Sequence, residues 1–402
     1  MTTRSALISG AGIAGPALAF WLADAGWQVT VVERAERLRT SGYPVDVRGA
    51  ALDVVERMGL TERIHEQRYR NPVMEFLSPG GRRLARFDPG EMLNSVGDLE
   101  AARGTLSQIL YDATRDRVDY VFGDSITTLD PTTGEVTFAR RAAQRFDVVI
   151  GADGIHSNVR ALAFGDETQF LHPLGANVAI WDISTEIFAP GTGYMYSHPG
   201  RSAAVVRPAD GGVTRAFLVY AGEGDVDRHD VAAIRAELQR VFTEDRWRTA
   251  EIIDTLRDAD DVFFDTVSQV RMDRWSTGRV TLVGDAAYAP AFLSGQGTSL
   301  ALTGAYVLAS ELARHDDPAR AFEVYERRMR EFVTRNQSLA VRTDSTVLSR
   351  TRAELVRRNI RVSVWPILRR LGLDRWLRRE RRGATTDLFF EDGDLRRSLA
   401  DV

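Results

Sequence analysis

Three glycines near the N-terminus constrain the fold more than any other feature of the sequence. Gly10, Gly12 and Gly15 follow an apolar segment, residues 5–9, and precede a segment of helix-forming composition, residues 17–25. A second apolar segment follows directly. The dinucleotide-binding β-α-β unit consists, in this order, of a strand, a Gly-x-Gly-x-x-Gly turn, a helix and a second strand. The sequence therefore predicts an α/β fold with a Rossmann-like domain at its start.

Each glycine has a separate physical role in binding a pyrophosphate. Gly10 permits the tight turn, Gly12 lets the backbone approach the phosphates, and Gly15 lets the helix pack closely against the strand. The helix N-terminus then directs free N–H groups and the positive end of its dipole at the phosphates. Glu33 ends the second strand and is placed to accept hydrogen bonds from an adenosine ribose. This pattern predicts a bound dinucleotide and leaves NAD and FAD as alternatives.

Two later motifs favour FAD. Residues 151–154 (Gly-Ala-Asp-Gly) and 284–287 (Gly-Asp-Ala-Ala) each follow a short apolar strand, where open α/β sheets place their ligands. Asp285 is expected to contact a polyol, which the ribityl chain of a flavin supplies. Gly295 and Gly297 lie at the start of a helix whose free N–H groups suit the negative charge at N1/O2 of a reduced flavin. A dehydrogenase that uses only NAD needs neither motif.

The remaining segments place a β-rich region between α/β regions. Residues 73–87 are predicted to form a hairpin, and strands with Gly/Pro turns occupy 174–220. We therefore predict a Rossmann-like FAD-binding domain with an inserted, mostly antiparallel β-sheet domain and C-terminal helices. The expected boundaries are 1–70, 98–170 and 271–340 for the FAD-binding domain, 71–97 and 171–270 for the substrate domain, and 341–402 for a C-terminal helical extension.

Composition excludes several other classes of protein. All 52 basic residues are arginine, so no lysine can form a Schiff base. Cysteine is absent, which excludes disulfide and thiolate chemistry. The six histidines show no paired ligand spacing, so no metal site is expected, and His156 and His172 are interpreted as structural. A formal net charge of −4 gives no general attraction for nucleic acid. Neither a secretory signal nor an apolar stretch of about 18 residues is present, which predicts a cytoplasmic protein.

The segment 350–382 is strongly basic, with twelve arginines and three acidic residues. It also contains apolar residues, and this composition suits either a membrane surface or a packed amphipathic helix pair. We favour the packed helix pair, because the rest of the chain compensates the charge. Neither a membrane nor a nucleic acid is expected as a partner.

The three motifs, in this order and spacing, resemble those of single-component FAD-dependent aromatic hydroxylases of the para-hydroxybenzoate hydroxylase type. The resemblance covers about residues 1–340. Within that family the chain looks most similar to tetracycline-inactivating monooxygenases and related antibiotic or polyketide hydroxylases. This similarity rests on Val-Glu-Arg at 32–34, Gly-Tyr-Pro-Val-Asp-Val at 42–47, and Arg103 before a helix. It implies that the FAD-binding domain is of the glutathione-reductase type.

The same resemblance implies roles for single residues. It assigns Glu33 and Arg34 to the adenosine end of FAD. Arg39 matches an arginine that assists NADPH, and Asp153 belongs to a motif that serves both FAD and NADPH. The other implied cofactor contacts are Asp46, Arg103 and Asp285.

The implied activity is that of a monooxygenase. NAD(P)H would reduce FAD, O₂ would add at the flavin C4a atom, and the hydroperoxide would transfer one oxygen atom to an electron-rich substrate. Three positions depart from the family pattern. Tyr288 stands where the family usually has histidine, and Ala291 and Phe292 stand where proline is common. Tyr288 and Phe292 are expected near the flavin and are the candidates for a direct role.

We expect the substrate to be a bulky, largely neutral aromatic or polycyclic molecule in an apolar cavity beside the flavin. The residues expected to line this cavity are Trp181, Tyr194, Tyr196, Phe217, Tyr220 and Phe292, with Arg207 or Arg215 as candidates for binding an acid. Two alternatives stay open: a geranylgeranyl-reductase-like flavoprotein, and a non-catalytic binding protein of the same fold. A flavin-dependent halogenase is disfavoured, because the sequence has no Trp-x-Trp-x-Ile-Pro stretch.

Overall fold

The computed structural model describes most of the chain. Its described residues are 3–39, 42–68, 72–88, 98–183, 187–209, 212–222, 226–245, 247–259 and 261–370, together with 388, 390, 394 and 395. The two longest predicted stretches outside the described residues are 89–97, at the end of segment 71–97, and most of 371–402, in the C-terminal extension 341–402.

The helices and strands alternate in the first third of the chain and separate into sheet and helix regions later. The strands are β1 (Ser5–Ser9), β2 (Gln28–Glu33), β3 (Pro44–Val47), β4 (Val73–Leu77), β5 (Arg83–Phe87), β6 (Leu99–Ala102), β7 (Asp119–Phe122), β8 (Ile126–Leu129), β9 (Glu135–Phe138), β10 (Gln144–Arg145), β11 (Val148–Gly151), β12 (Leu171–Ile183), β13 (Thr192–His198), β14 (Arg201–Arg207), β15 (Thr214–Ala221), β16 (Val262–Val270), β17 (Ser276–Thr277) and β18 (Val280–Leu282). The helices are α1 (Ala14–Asp24), α2 (Ala50–Arg57), α3 (Thr61–Glu66), α4 (Arg103–Asp112), α5 (Asn158–Phe164), α6 (Val231–Val241), α7 (Thr249–Asp254), α8 (Asp285–Tyr288), α9 (Gly297–Arg314), α10 (Pro318–Val347) and α11 (Arg352–Arg370).

The first large sheet has six strands in the order β17-β18-β11-β1-β2-β7. Its neighbours pair in parallel except for the edge strand β17. Strands β1 and β11 are apolar almost throughout and buried, as expected for parallel strands covered on both faces. The carboxyl ends of β1, β2 and β11 lie side by side, which brings the loops after them to one edge of the sheet.

Helix α1 begins at Ala14, three residues before the start that the sequence predicts. Gly15 and Pro16 are both unfavourable in a helix interior. At the first turn neither residue costs much, because backbone N–H groups there have no partner inside the helix. Gly12 therefore lies just before the helix and Gly15 in its first turn, so the glycine loop is shorter than the sequence suggests.

The second large sheet has seven strands in the order β16-β12-β15-β14-β13-β4-β5. All neighbouring pairs are antiparallel except β4 and β13. The predicted hairpin at 73–87 is present and extends this sheet. One face packs against α6 and α7 through residues such as Leu238 and Ile252, and the other faces the first sheet. These two sheets confirm the predicted fold class, a Rossmann-like α/β domain with an inserted, mostly antiparallel sheet.

Three long helices, α9 to α11, follow the sheets. Helix α9 is buried over almost its whole length and packs against α1. Helix α11 places Val362 and Trp365 against Phe76 and Phe87 of the β4–β5 hairpin. No helix within the described part of the chain is both long and apolar enough to cross a bilayer.

Candidate functional site

A cavity of about 740 Å³ lies between the two large sheets. Its walls come from the loops after β1, β2 and β11, from the 284–298 segment and from the inner face of the seven-stranded sheet. The predicted cofactor residues that line it are Gly10, Gly12, Glu33, Arg34, Arg39, Asp46, Arg103, Asp153, Asp285, Gly295 and Gly297, and the candidate Phe292 lines it as well. Gly15 and Tyr288 are not among its described lining residues.

The glycine loop is packed closely against its neighbours at two positions and open at the third. A β-carbon on Gly10 would lie 2.6 Å from the Ala152 carbonyl oxygen, and one on Gly15 would lie 1.9 Å from the Gly10 carbonyl oxygen. The nearest atom to a β-carbon on Gly12 is Nη2 of Arg103, at 3.8 Å. Packing within the protein therefore requires glycine at positions 10 and 15, whereas Gly12 borders open space in the cavity.

Glu33 holds the glycine loop at the end of β2. Its Oε2 accepts the N–H of Ala11 at 2.9 Å, and its Oε1 accepts the N–H of Ala35 at 2.9 Å. Each carboxylate oxygen can accept a second hydrogen bond. Arg34 and Arg39 line the same end of the cavity. The arrangement leaves Glu33 able to accept a ligand hydroxyl while it fixes the loop.

Asp285 and Arg103 are opposite charges on two walls of the cavity. Burial raises the pKa of the Asp285 carboxyl, and the positive charge of Arg103 partly offsets this. Asp285 begins α8, and its Oδ1 lies 3.6 Å from the position of a β-carbon on Gly297, where α9 begins. The Asp285 carboxylate, which can accept hydrogen bonds from hydroxyls, therefore lies next to the N-terminus of α9, which attracts negative charge.

Asp46 is held on the same side of the cavity by Arg48. Nη2 of Arg48 lies 2.7 Å from its Oδ2, yet burial outweighs this ion pair and raises the pKa of Asp46 to about 7. Gly295, with φ of 64°, approaches the same carboxylate. Because a side chain on Gly295 would lie 3.6 Å from Asp46 Oδ2, the two segments come together closely here.

Asp153 is used largely by the protein itself. Its carboxylate accepts hydrogen bonds from the hydroxyls of Ser9 and Ser157 and from the N–H of Val159, the last at 3.0 Å. Burial raises the pKa of Asp153, and these hydrogen bonds act in the opposite direction. Asp153 therefore connects β1 to the start of α5 and fixes the loop that borders the cavity.

Tyr288 and Phe292 have different surroundings, although the sequence suggests one role for both. Tyr288 is buried in the core, where its hydroxyl lies 2.9 Å from that of Tyr325 and its ring packs against Trp275. Phe292 lines the cavity, with its ring centroid 5.0 Å from that of Tyr43. The preceding Ala291 has φ of 87°, a backbone conformation that costs energy for a residue with a side chain. The strained turn aims Phe292 into the cavity.

The inner face of the seven-stranded sheet supplies the apolar wall. The side chains that line it there include Met74, Val178, Met195, Phe217, Val219 and Phe263. Of the sheet aromatics expected in this position, Phe217 is present, whereas Trp181, Tyr194, Tyr196 and Tyr220 point to the opposite face and pack under α6 and α7. Successive side chains of a strand alternate between faces, so these four residues are core residues.

Neither candidate arginine faces the cavity. The Arg207 guanidinium donates to the Phe188 carbonyl oxygen, and the Arg215 Nε donates to Asp182 Oδ1 at 2.6 Å. The cavity therefore has no acid-binding arginine on its sheet wall within the part of the chain that the structure describes.

His156 and Asp265 are a pair of polar cavity residues that were not predicted as site residues. His156, in the loop after β11, lies with its Nε2 3.0 Å from Oδ2 of Asp265 on β16. Its Nδ1 lies 3.1 Å from Oε2 of Glu167. Burial lowers the pKa of His156, but the hydrogen bonds and charge of Asp265, with a hydrogen bond to Glu167, outweigh it and leave the pKa raised. His156 thus lies on the cavity wall, a placement that its interpretation as structural did not include.

Comparison with known proteins identifies the family. A family model described as an FAD binding domain matches residues 3–339. An uncharacterized protein of Mycobacterium tuberculosis is 45% identical over 346 residues, which cover 84% of this chain and 92% of the relative. A flavin-dependent monooxygenase of Legionella longbeachae is 33% identical over 342 residues, which cover 83% of this chain and 87% of the relative.

A solved structure extends the similarity to three dimensions. The crystal structure of the tetracycline destructase Tet(55) matches with a TM-score of 0.83 and 29% identity, over 97% of this chain and 99% of that chain. These findings confirm the family resemblance seen in the three motifs and FAD as the cofactor. The chain belongs to the FAD-binding-domain family and is an FAD-dependent oxidoreductase of the flavin-dependent monooxygenase group.

Proposed function

We propose that the cavity holds FAD along its glycine-loop side and the substrate along its sheet side. Gly10, Gly12 and Gly15 would shape the pyrophosphate site, and Glu33 with Arg34 would bind the adenosine. The flavin end would be held by Asp46, Arg103, Asp285, Gly295 and Gly297, with Asp153 fixing the loop between the cofactors and Arg39 assisting NAD(P)H. The open space beside Gly12 is the observation that supports this arrangement most directly.

The residues present fit the chemistry of FAD at both ends. Beside Gly12 the backbone can approach a pyrophosphate without a steric clash. The Asp285 carboxylate is exposed to the cavity that it lines, and a polyol hydroxyl would satisfy an acceptor whose charged form the surrounding protein disfavours. The start of α9 beside it suits the partial negative charge of the flavin pyrimidine ring.

We propose the division of the chain that the motifs suggest. The FAD-binding domain would comprise 1–70, 98–170 and 271–340, and the substrate domain 71–97 and 171–270. The six-stranded sheet draws its strands from the first set of ranges, and the seven-stranded sheet draws its strands from the second. Chain segment 341–402 would form the C-terminal extension.

The reaction we propose consumes one NAD(P)H and one O₂ for each substrate hydroxylated. One oxygen atom enters the substrate and the other leaves as water, with NAD(P)⁺ as the oxidised product. The bound flavin supplies the redox chemistry, and the protein orients the substrate and excludes water from the reacting atoms. The apolar side chains of the sheet wall, with Phe292 opposite, would perform the last two tasks.

We propose a bulky, largely neutral aromatic or polycyclic substrate. The sheet wall offers mainly apolar side chains, and Arg207 and Arg215 already have partners elsewhere. The likeness to a tetracycline destructase supports a polycyclic molecule over a small benzoate. Buried apolar area would then dominate binding, so affinity would depend weakly on salt.

The test is NAD(P)H oxidation by the FAD-loaded protein with tetracycline, polycyclic phenols and small hydroxybenzoates, at low and high salt. Hydrogen peroxide is measured in parallel, because uncoupled flavin oxidation also consumes NAD(P)H. We expect salt-insensitive stimulation by at least one polycyclic compound. Strong, salt-sensitive stimulation by hydroxybenzoates alone would refute the proposed substrate class.

A further inference from the structure

The sheet wall of the cavity contains one charged side chain among otherwise apolar or small polar residues. Among the described residues of the seven-stranded sheet that line the cavity, Asp265 is the only ionisable one. It stands between Phe263 and Val267 on β16, and all three line the cavity. A carboxylate in such surroundings loses hydration and lowers stability unless it gains compensating bonds. Packing of the sheet gives no reason for its presence.

His156 reaches Asp265 from the opposite wall. The Nε2–Oδ2 distance is 3.0 Å, and the two residues are 109 positions apart in the chain. Because the other ring nitrogen lies against Glu167, each ring nitrogen faces a carboxylate, and this arrangement favours the doubly protonated, positively charged form of the ring. The interaction therefore links the loop after β11, on the FAD side, to the substrate sheet.

Asp265 keeps acceptor capacity toward the cavity. Its Oδ1 accepts the N–H of Thr266 at 2.9 Å, and its Oδ2 accepts from His156. Each oxygen can accept two hydrogen bonds, and the side chain remains 16% exposed in the cavity wall. Since His156 already lies against this carboxylate, Asp265 is suited to a neutral hydrogen-bond donor.

We propose that Asp265, positioned by His156, accepts a hydrogen bond from a phenolic or enolic hydroxyl of the substrate. This inference rests on the proposed function and adds to it the polar group by which the substrate is oriented. A hydrogen bond from the hydroxyl to a carboxylate also increases electron density in the ring, which favours attack on an electrophilic oxygen. A substrate carboxylate would be repelled at the same place.

The geometry is unsuited to a metal site. Asp265 and Glu167 contact opposite nitrogens of the His156 ring, so the three groups do not converge on one point. No group of three convergent ligands occurs elsewhere within the described ranges. The remaining alternative is a purely structural link between the two walls.

The experiment compares two probes that differ by one methyl group, 2-naphthol and 2-methoxynaphthalene. Binding to the FAD-loaded protein is followed by the change in flavin fluorescence, which requires no turnover. We expect the wild type to bind 2-naphthol about tenfold more tightly, as for one hydrogen bond to a charged group. Asp265→Asn keeps an acceptor oxygen but loses the charge, so it should reduce this preference, and His156→Ala should reduce it as well.

Two further variants separate orientation from structure. His156→Gln retains a donor toward Asp265 and should keep most of the preference. Asp182→Asn removes a carboxylate of the same sheet that lies outside the lining of the cavity, and it should leave the preference unchanged. A merely structural link would lower the unfolding midpoint of the Asp265 and His156 variants without altering the ratio of the two affinities.

The outcomes separate this inference from the proposed function. Equal binding of both probes by the wild type, or an unchanged preference in Asp265→Asn, would overturn the inference and leave the proposed function standing. If neither probe perturbs the flavin and no aromatic compound stimulates NAD(P)H oxidation, the proposed function and the inference both fail. A preference reduced in Asp265→Asn but kept in Asp182→Asn supports the inference.

Discussion

The carbonyl oxygen of Gly10 lies 1.9 Å from the position that a β-carbon on Gly15 would occupy. Helix α1 therefore packs so closely against the loop that precedes it that only glycine fits. We predict that Gly15→Ala forces the helix to move and destabilises the FAD-free protein by about 1–3 kcal/mol, the usual cost of overpacking. Denaturant unfolding measures this, and an unchanged midpoint would contradict it.

Gly12 provides the matched control for that substitution. A β-carbon there meets nothing nearer than Arg103 Nη2 at 3.8 Å, so Gly12→Ala should leave the stability of the FAD-free protein within about 0.5 kcal/mol. The added methyl group would occupy space assigned to the pyrophosphate, and FAD affinity should fall at least tenfold. Fluorescence titration with FAD gives the affinity. Wild-type affinity in Gly12→Ala would place the pyrophosphate elsewhere.

Asp285 tests the flavin end of the site. Asp285→Ala would leave the ribityl hydroxyls without their acceptor, and loss of a charged hydrogen-bond partner costs about 1.5–3 kcal/mol, or roughly tenfold or more in affinity. We therefore expect purified Asp285→Ala to lose most of its FAD. Full flavin occupancy with unchanged affinity would remove Asp285 from the cofactor site. Asp182→Ala, which lies outside the cavity lining, serves as the control.

The sequence alone predicts the part of the site that is built from local motifs. The glycine turn, the strand ends near Asp153 and Asp285 and the hairpin at 73–87 each combine a short residue pattern with a defined backbone geometry. The start of α1 was placed too late, because helix propensity describes helix interiors and says little about first turns.

Long-range pairing was beyond prediction. Whether Tyr194 and Tyr196 face the cavity depends on strand register, since a shift by one residue moves every side chain to the other face. The contact between His156 and Asp265 joins residues 109 positions apart, so no spacing in the sequence reveals it. The alternation of side chains along each strand places Met195 and Phe217 among the candidates for the cavity wall. It does not show which of the two faces of the sheet lines the cavity.

The pKa of Asp46 predicts how stability depends on pH. Its folded-state pKa of about 7 exceeds the ordinary value of 3.8, so the folded protein holds a proton that the unfolded chain has lost between these values. Raising the pH through this window therefore destabilises the FAD-free protein, by at most about 4 kcal/mol at roughly 1.4 kcal/mol per pKa unit.

Asp46→Asn, which mimics the protonated carboxyl, should remove this dependence. Relative to wild type, the variant should gain unfolding free energy at pH 8 and gain little at pH 4.5. Denaturant unfolding at both pH values provides the measurement. A difference between variant and wild type that is the same at pH 4.5 and pH 8 would contradict the raised pKa.

Tyr288 and Phe292 should respond differently to substitution. Tyr288→Phe removes a buried hydrogen bond to Tyr325 and should cost about 0.5–1.5 kcal/mol in unfolding free energy while leaving 2-naphthol affinity unchanged. Phe292→Ala removes a cavity wall and should weaken 2-naphthol binding severalfold with a smaller loss of stability. Titration and unfolding of both variants distinguish these roles, and weaker 2-naphthol binding in Tyr288→Phe would place that residue in the site after all.

The most direct test of the account is isotopic. The FAD-loaded protein is incubated with NAD(P)H, ¹⁸O₂ and one test compound at a time, either tetracycline or a polycyclic phenol. The product masses are then measured by mass spectrometry. We predict that at least one compound gains a single ¹⁸O atom, with NAD(P)H consumed in proportion and little hydrogen peroxide released. NAD(P)H oxidation that is independent of every compound, with all electrons recovered as hydrogen peroxide and no ¹⁸O in any product, would contradict the proposed monooxygenase activity.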